Sequence, residues 1–170
     1  GYSVRSCIRD ANSWWGQNCV AYLSRLPNVE IIDGCDLFTK GSYDEAFDGV
    51  SAVFHVAAVL GNSADGKSQP LGAGDIAKDV YDGGLVGTLN VIDSINDSGS
   101  VARIVYTSSM AAVSGAKAAS LPEGYEWVET DWSSDGVEEE IWNKPQNSYA
   151  KSKVDTERLI NASAEESGGR

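Results

Sequence analysis

The chain has 170 residues and 42% of them are hydrophobic, so a globular domain with a buried core is expected rather than disorder. Its formal net charge of −12 argues against a nucleic-acid partner, because phosphate backbones bind basic surfaces. No run approaches the roughly 20 apolar residues of a membrane span. The 3 cysteines lack CxxC spacing and there is 1 histidine, so we expect no metal site and reduced thiols in a cytoplasmic protein.

The first half of the chain alternates short apolar runs with helical patterns. Residues 2–8 alternate in polarity and predict a first strand, and a short helix is expected over residues 17–26. Val29–Ile32 predicts a second strand. Ser42 to Glu45 form a capping box at which a helix should begin. The continuous apolar run over residues 52–56 predicts a third strand, buried as in a parallel sheet.

The second half continues the alternation. Apolar and small residues at three- or four-residue spacing over 76–95 predict a long helix that ends at Ser98-Gly99. The glycines of residues 83–87 lie inside that helical pattern, so they are not a phosphate loop. A fourth strand is expected over 103–107 and a last helix over 149–166, with an irregular acidic stretch between them. This order predicts an α/β fold with a parallel sheet covered by helices on both faces.

Tyr149 and Lys153 form a YxxxK pattern on the last predicted helix. Four-residue spacing places a phenol and an ammonium on one helical face, one turn apart. A nearby cation stabilises a phenolate, which adapts a tyrosine side chain to proton transfer near neutral pH. The pattern is short enough to occur by chance, so it carries weight only together with other features.

Hydroxyl side chains follow the fourth predicted strand, at Thr107, Ser108 and Ser109. Ligands of open α/β sheets bind at the carboxyl ends of the strands, so a hydroxyl here could hold a carbonyl oxygen. An ordinary turn or helix cap is the alternative interpretation. His55 lies within the third strand, where a lone histidine is more often a hydrogen-bonded core residue than a catalyst.

Arg9 follows the first strand, and Arg5 is a second candidate cation. In a dinucleotide-binding fold an arginine near the adenosine ribose accommodates the 2′-phosphate of NADP, although either side chain could be a solvated surface charge. Asp36 and Leu37 follow the second strand and could meet an adenine or start a turn. The small Ala57 and Ala58 after the third strand would let a flat cofactor approach the backbone.

Taken together and in this order, these segments resemble the extended short-chain dehydrogenase/reductases, in particular the dihydroflavonol reductase and cinnamoyl-CoA reductase branch. The resemblance covers nearly the whole chain. The matching segments are residues 1–5 running to Ile8-Arg9-Asp10, Cys35-Asp36-Leu37, Gly41 to Ala46, Val53 to Ala57, Arg103 to Ser109, and Asn147 to Lys153.

The resemblance implies a Rossmann-type doubly wound parallel sheet, of which residues 1–170 form a partial NAD(P)-binding domain. The first strand, glycine-rich turn and first helix of that fold would precede Gly1, and a substrate-binding region would follow Arg170. The glycine turn supplies the N–H groups that hold the pyrophosphate. Residues 1–170 alone are therefore expected to be poorly stable and inactive.

The resemblance also implies an oxidoreductase that reduces a small-molecule carbonyl by hydride transfer, with NADP(H) favoured over NAD(H) and without a nucleic-acid or membrane partner. Its implied catalytic set is Ser109 on the carbonyl oxygen, Tyr149 as proton donor and Lys153 as the charge that tunes it. The implied cofactor contacts are Arg9 at the 2′-phosphate, Asp36 and Leu37 at the adenine, and Val56, Ala57, Ala58, Thr107, Tyr149 and Lys153 along the rest.

Three departures from the family pattern narrow these expectations. Ser148, Ala150 and Lys151 replace the Trp, Cys and Tyr typical of cinnamoyl-CoA reductases, which argues against a CoA thioester substrate. Ser114 stands where flavonoid reductases often carry Asn or Asp. The family's second phosphate-binding lysine falls on or near Gly16, so Arg9 is expected to act alone.

Other functions remain compatible with the same scaffold. Nucleotide-sugar epimerases, dehydratases and hydroxysteroid dehydrogenases use it too, and a dinucleotide-binding sensor without chemistry is a third alternative. Retention of Ser109, Tyr149 and Lys153 together favours an enzyme.

Overall fold

The structure is a computed structural model and describes residues 1–60, 74–115 and 121–168. Within these ranges short strands alternate with helices, as predicted, and none of the helices is both long and apolar enough to cross a bilayer. A 3₁₀ turn at Pro145–Asn147 precedes the last helix. The elements are β1 (Val4–Ile8), α1 (Trp14–Leu23), β2 (Val29–Asp33), α2 (Asp44–Phe47), β3 (Ala52–His55), α3 (Gly74–Ser98), β4 (Arg103–Tyr106), α4 (Met110–Val113), α5 (Glu139–Trp142) and α6 (Ser148–Glu166).

The described strands form two parallel pairs. β1 lies beside β2, with Val4 opposite Val29 and Ile8 opposite Asp33. β3 lies beside β4, where the N–H of Ala102 donates to Ser51 O and that of Thr107 donates to His55 O, both at 3.0 Å. The partners advance together along both segments, as parallel strands do. The predicted α/β class is therefore confirmed.

The grouping of the strands matches part of a doubly wound sheet. The common order of such a sheet is 3-2-1-4-5, and without its first strand it consists of the pairs 3-2 and 4-5. The resemblance assigns β1 to β4 of this chain to the second to fifth strands of that fold. The observed pairs, β1 with β2 and β3 with β4, are the two that this assignment requires.

The chain divides into two compact units, of which the first comprises residues 1–53 and 89–104. Tyr43 stacks on Phe47 with ring centroids 5.5 Å apart. The Asn90 amide donates to Leu37 O at 2.8 Å and so ties α3 to the segment after β2. The cysteines are free, and the Cys35 thiol donates to Ile32 O at 3.7 Å. The buried apolar residues of this unit are Cys35, Leu37, Tyr43, Ala46, Phe47, Val53 and Val91.

The second unit comprises residues 54–88 and 105–170, and its helix α6 is packed closely. Val154 and Thr156 are fully buried in α6, which also contacts α4. Gly84 of α3 lies directly against α6, because a Cβ at this position would lie 1.9 Å from Ser152 Oγ and 3.0 Å from Ser152 Cβ. The missing side chain of Gly84 thus allows the two helices to approach each other.

One local prediction holds only in part and another is wrong. A helix begins at Asp44, within residues 42–45 as predicted, but without the expected cap. The Ser42 hydroxyl does not cap a helix; it donates to Asp36 O at 2.7 Å and accepts from Asp36 N at 3.1 Å, so it closes the turn before α2 instead. β3 is not buried on both faces: Val53 and His55 are buried, but Phe54 is 72% exposed and Val56 just after it is 62% exposed. In the described part of the chain, no element covers the outward face of β3.

Candidate active site

Helix α6 carries Tyr149 and Lys153, as the sequence predicts. The helix begins at Ser148, directly after the 3₁₀ turn, so Tyr149 lies in its first turn. Lys153 lies one turn further along the same face. Its side chain is 5% exposed, whereas Tyr149 is partly exposed. The helix therefore presents a phenol next to a buried ammonium.

The buried ammonium of Lys153 has defined partners. Its Nζ donates to Thr107 O at 2.9 Å, lies 4.8 Å from the ring centroid of Tyr106, and lies 5.9 Å from that of Tyr149. Burial lowers the pKa of Lys153 from its ordinary value, while the Glu157 carboxylate acts in the opposite direction. The charge is thus held by one carbonyl dipole and the faces of two aromatic rings.

The segment after β4 contributes both backbone and hydroxyl groups. Thr107 accepts from Lys153 through its backbone oxygen, and the Ser108 hydroxyl donates to the Glu157 carboxylate of α6. Ser109 is the N-cap of α4, and its Oγ accepts from Ala111 N at 3.2 Å. The alternative of a helix cap is therefore correct for Ser109, yet a capping hydroxyl keeps its own hydrogen for a second partner. The structure brings Thr107 to Lys153 and places Ser109 on a helix that contacts α6.

His55 and Tyr106 lie behind the lysine. The Nε2 atom of His55 lies 2.8 Å from Thr88 Oγ1, and its side chain is 5% exposed. Burial, aided by the charge of Lys153, lowers the pKa of His55 to about 4. The expected role as a hydrogen-bonded core residue is confirmed. Its ring centroid is 5.5 Å from that of Tyr106, whose pKa is raised to about 12, mainly by burial.

Sequence reasoning missed Tyr106. The signal that could have found it is the alternation along β4, in which Ile104 and Tyr106 share the less exposed face. A residue on that face, immediately before Thr107, is directed towards whatever packs against the sheet. The contact with Lys153 follows from this position.

In the first unit, Arg9 is exposed directly after β1, and its guanidinium has no hydrogen-bond or ion-pair partner among residues 1–60, 74–115 and 121–168. Arg5 is committed elsewhere: its Nη1 donates to Ala46 O at 3.3 Å and to Asp48 O at 2.5 Å, and its Nε donates to Glu30 at 2.9 Å. It caps the C-terminus of α2 and neutralises a carboxylate. The alternative of Arg5 as a second phosphate-binding cation is therefore wrong.

Gly16 leaves no room for a side chain. It is buried in the first turn of α1, where the Ser13 hydroxyl caps its N–H at 3.0 Å. A Cβ on Gly16 would lie 2.0 Å from Asp10 O and 2.8 Å from Ala11 Cα. Arg9 is the only basic residue between β1 and the middle of α1, as expected.

The remaining predicted cofactor residues belong partly to the first unit and partly to the second. Asp36 starts a turn, with its carboxylate accepting from Phe38 N at 2.9 Å, and Leu37 is 7% exposed in the core of the first unit. Val56, Ala57 and Ala58 are exposed in the second unit, immediately after β3. Small exposed residues at a strand end permit a ligand to approach the backbone.

Comparison with known proteins reveals curated relatives over about two thirds of the chain. Anthocyanidin reductase of Arabidopsis thaliana is 31% identical over 116 residues, which are 67% of this chain and 31% of that protein. The bifunctional dihydroflavonol 4-reductase/flavanone 4-reductase of Pyrus communis is 33% identical over 116 residues, covering 66% of this chain and 30% of that protein. This chain thus spans about a third of the length of these curated relatives.

Solved structures show the same fold at lower identity. Gre2 from Candida albicans, in complex with NADPH, is 21% identical with a TM-score of 0.72, covering 97% of this chain and 46% of that one. Yeast methylglyoxal/isovaleraldehyde reductase Gre2, complexed with NADPH, gives a TM-score of 0.69 at 21% identity over 97% of this chain and 46% of that one.

A family assignment covers more of the chain than any of these curated relatives. Residues 8–169 match the 3-beta hydroxysteroid dehydrogenase/isomerase family, and the resemblance to reductases of the extended short-chain type is confirmed. The chain belongs to the 3-beta hydroxysteroid dehydrogenase/isomerase family.

Proposed function

We propose that the protein containing this chain is an NADP(H)-dependent oxidoreductase that reduces a small-molecule carbonyl. The observation that carries this proposal is the buried ammonium of Lys153, one helical turn from the phenol of Tyr149 and anchored on Thr107 O at 2.9 Å. Burying an ammonium is costly unless its charge is paired or hydrogen-bonded, and buried ionisable groups of this kind cluster at functional sites. Its partners here are a carbonyl oxygen and two aromatic rings, which leave the positive charge available to the neighbouring phenol.

Separate features of each unit support a dinucleotide cofactor. In the first unit, exposed Arg9 is suited to the 2′-phosphate, and Asp36 with Leu37 begins the turn proposed for the adenine. In the second unit, the exposed Val56, Ala57 and Ala58 would lie along the cofactor, and Thr107, Tyr149 and Lys153 would serve the nicotinamide ribose. NADPH supplies the hydride when it is bound.

Three side chains of the second unit would supply the proton transfer and hold the carbonyl oxygen of the substrate. The Tyr149 hydroxyl donates its proton to the carbonyl oxygen of the substrate, and Lys153 stabilises the phenolate that is left behind. The Ser109 hydroxyl donates a hydrogen bond to the same oxygen and holds it towards Tyr149. The hydrogen bond from Lys153 Nζ to Thr107 O holds the ammonium at one position along α6.

The test is an assay of NADPH consumption by the protein at its full natural length, with dihydroflavonols, anthocyanidins, aliphatic ketones and aldehydes as substrates. Tyr149→Phe should lower turnover about 10²- to 10⁴-fold, because it removes the proton donor. NADPH affinity, measured by fluorescence titration, should remain close to that of the parent. Tyr2→Phe is the matched control, since Tyr2 is 94% exposed.

Two results would count against this proposal. Equal turnover in the parent and Tyr149→Phe would remove Tyr149 as the acid. Consumption of NADPH with none of these carbonyls, together with oxidation of a hydroxysteroid or conversion of a nucleotide sugar, would assign the scaffold to a different reaction.

A further inference from the structure

We propose that Tyr106 is a positioning residue for Lys153, in which the face of its ring holds the ammonium over β4 and keeps the charge directed at Tyr149. The distance from Lys153 Nζ to the Tyr106 ring centroid is 4.8 Å, shorter than the 5.9 Å to the Tyr149 ring. Both distances lie within the range of a cation–π interaction. The catalytic consequence rests on the function proposed above, whereas the contact itself does not.

The other partners of the ammonium do not replace this ring. Thr107 O supplies one acceptor at 2.9 Å, and an ammonium has three donors. The Glu157 carboxylate stabilises the charge through space, but its direct hydrogen bond is from the Ser108 hydroxyl. His55 lies behind Tyr106 and carries no charge at neutral pH, because its pKa is about 4. The Tyr106 ring therefore supplies a direct contact with the ammonium that neither Glu157 nor His55 makes.

An aromatic ring suits this role better than a carboxylate would. A carboxylate would pair with Lys153 and cancel most of its field, so that the phenol of Tyr149 would feel little positive charge. A ring attracts the cation through its quadrupole without neutralising it. Because burial raises the pKa of Tyr106 to about 12, its ring stays a neutral phenol at physiological pH.

The competing explanation is that Tyr106 only fills space beneath α6. The experiment therefore replaces Tyr106 by phenylalanine and by mono-, di- and trifluorophenylalanine in the protein at its full natural length. These rings have nearly the same shape, but fluorine progressively weakens the negative potential of the ring face. Competitive acetylation of lysines over a range of pH, quantified by mass spectrometry, measures the reactivity and the pKa of Lys153 in each protein.

The expected result is a graded response of Lys153. Tyr106→Phe should resemble the parent, and added fluorine should raise the fraction of unprotonated Lys153 stepwise, up to about 2- to 30-fold, as loss of a cation–π contact implies. The reactivity of exposed Lys144 serves as an internal reference, and Tyr22→Leu, a change at a 65% exposed tyrosine, serves as the control variant. Equal Lys153 reactivity across the fluorinated series would overturn the proposal.

Turnover provides the second measurement. The fluorinated proteins should lose activity in the same order in which Lys153 becomes more reactive, while the KM for NADPH changes less than kcat. Acetylation requires no substrate, so a protein without reductase activity would still show the graded response. A graded response without reductase activity would reject the proposed function but support the contact between Tyr106 and Lys153. Reductase activity without a graded response would support the function but reject the role of Tyr106.

Discussion

Gly84→Ala tests how closely helix α3 controls the position of the helix that carries Tyr149 and Lys153. The added Cβ would lie 1.9 Å from Ser152 Oγ, 3.0 Å from Ser152 Cβ and 3.5 Å from Thr156 Oγ1. The Ser152 hydroxyl can rotate, but its Cβ cannot move away unless α6 shifts. Because Ser152 is 3% exposed and Thr156 is fully buried, any such shift would press α6 against its interior neighbours.

The magnitude follows from two opposing contributions. Overpacking a close contact costs about 1–3 kcal/mol of unfolding free energy. Replacing glycine by alanine inside a helix returns about 1 kcal/mol. The expected result is a net loss of up to about 2 kcal/mol in the free energy of unfolding, together with lower turnover because α6 is displaced.

The assay is urea unfolding followed by circular dichroism for Gly84→Ala, Ser152→Gly and the double variant. Ser152→Gly removes both atoms nearest to the new methyl group, so the double variant should recover much of the loss. The expected coupling between the two sites is about 0.5–3 kcal/mol, as found for residues in direct contact. Strictly additive effects, or a Gly84→Ala variant more stable than the parent, would refute the close-packing argument.

Three further outcomes follow from the described contacts. The pKa of His55 is about 4 in the fold and 6.5 as its ordinary value, so the unfolded chain binds the extra proton as pH falls between these values. The free energy of unfolding should therefore drop by up to about 3 kcal/mol over this range, and His55→Gln should flatten that slope in pH-dependent unfolding; an unchanged slope would contradict the assignment. Arg9→Ala should weaken NADPH binding much more than NADH binding in fluorescence titrations, and equal losses would remove Arg9 from the phosphate site. Arg5→Ala should lower the midpoint of thermal unfolding without selectively weakening NADPH, because its guanidinium holds carbonyl oxygens of Ala46 and Asp48.

Periodic patterns predicted the elements because they report burial along one chain segment. The apolar spacing of residues 76–95 correctly predicts α3, and the alternation of residues 2–8 predicts β1, which the structure confines to Val4–Ile8. The position of Lys153 beside Tyr149 follows from helix geometry alone. Such features require no knowledge of what the segment packs against.

Contacts between residues that are far apart in the chain could not be predicted from these patterns. Ser42 has the pattern of a capping residue, but its hydroxyl is used by Asp36 six residues earlier. The contact between Gly84 and Ser152 joins residues of two helices far apart in the chain. The sequence places Tyr106 on one face of β4, but it does not show that the Lys153 ammonium lies over the ring of Tyr106. The roles of Ser109 and the cofactor residues remain predictions that the measurements above address.

The turn between β1 and α1 restricts how this protein could be re-engineered to bind a phosphate more tightly. A designer would first add a lysine at Gly16, yet even the Cβ of such a residue would lie 2.0 Å from Asp10 O. Redirecting Arg5 would uncap α2, since its guanidinium already donates to Asp48 O and to Glu30. New positive charge would have to be introduced at an exposed position of α1, such as Gln17, whose replacement gives up one hydrogen bond, from its side-chain amide to Asn12 O at 2.8 Å.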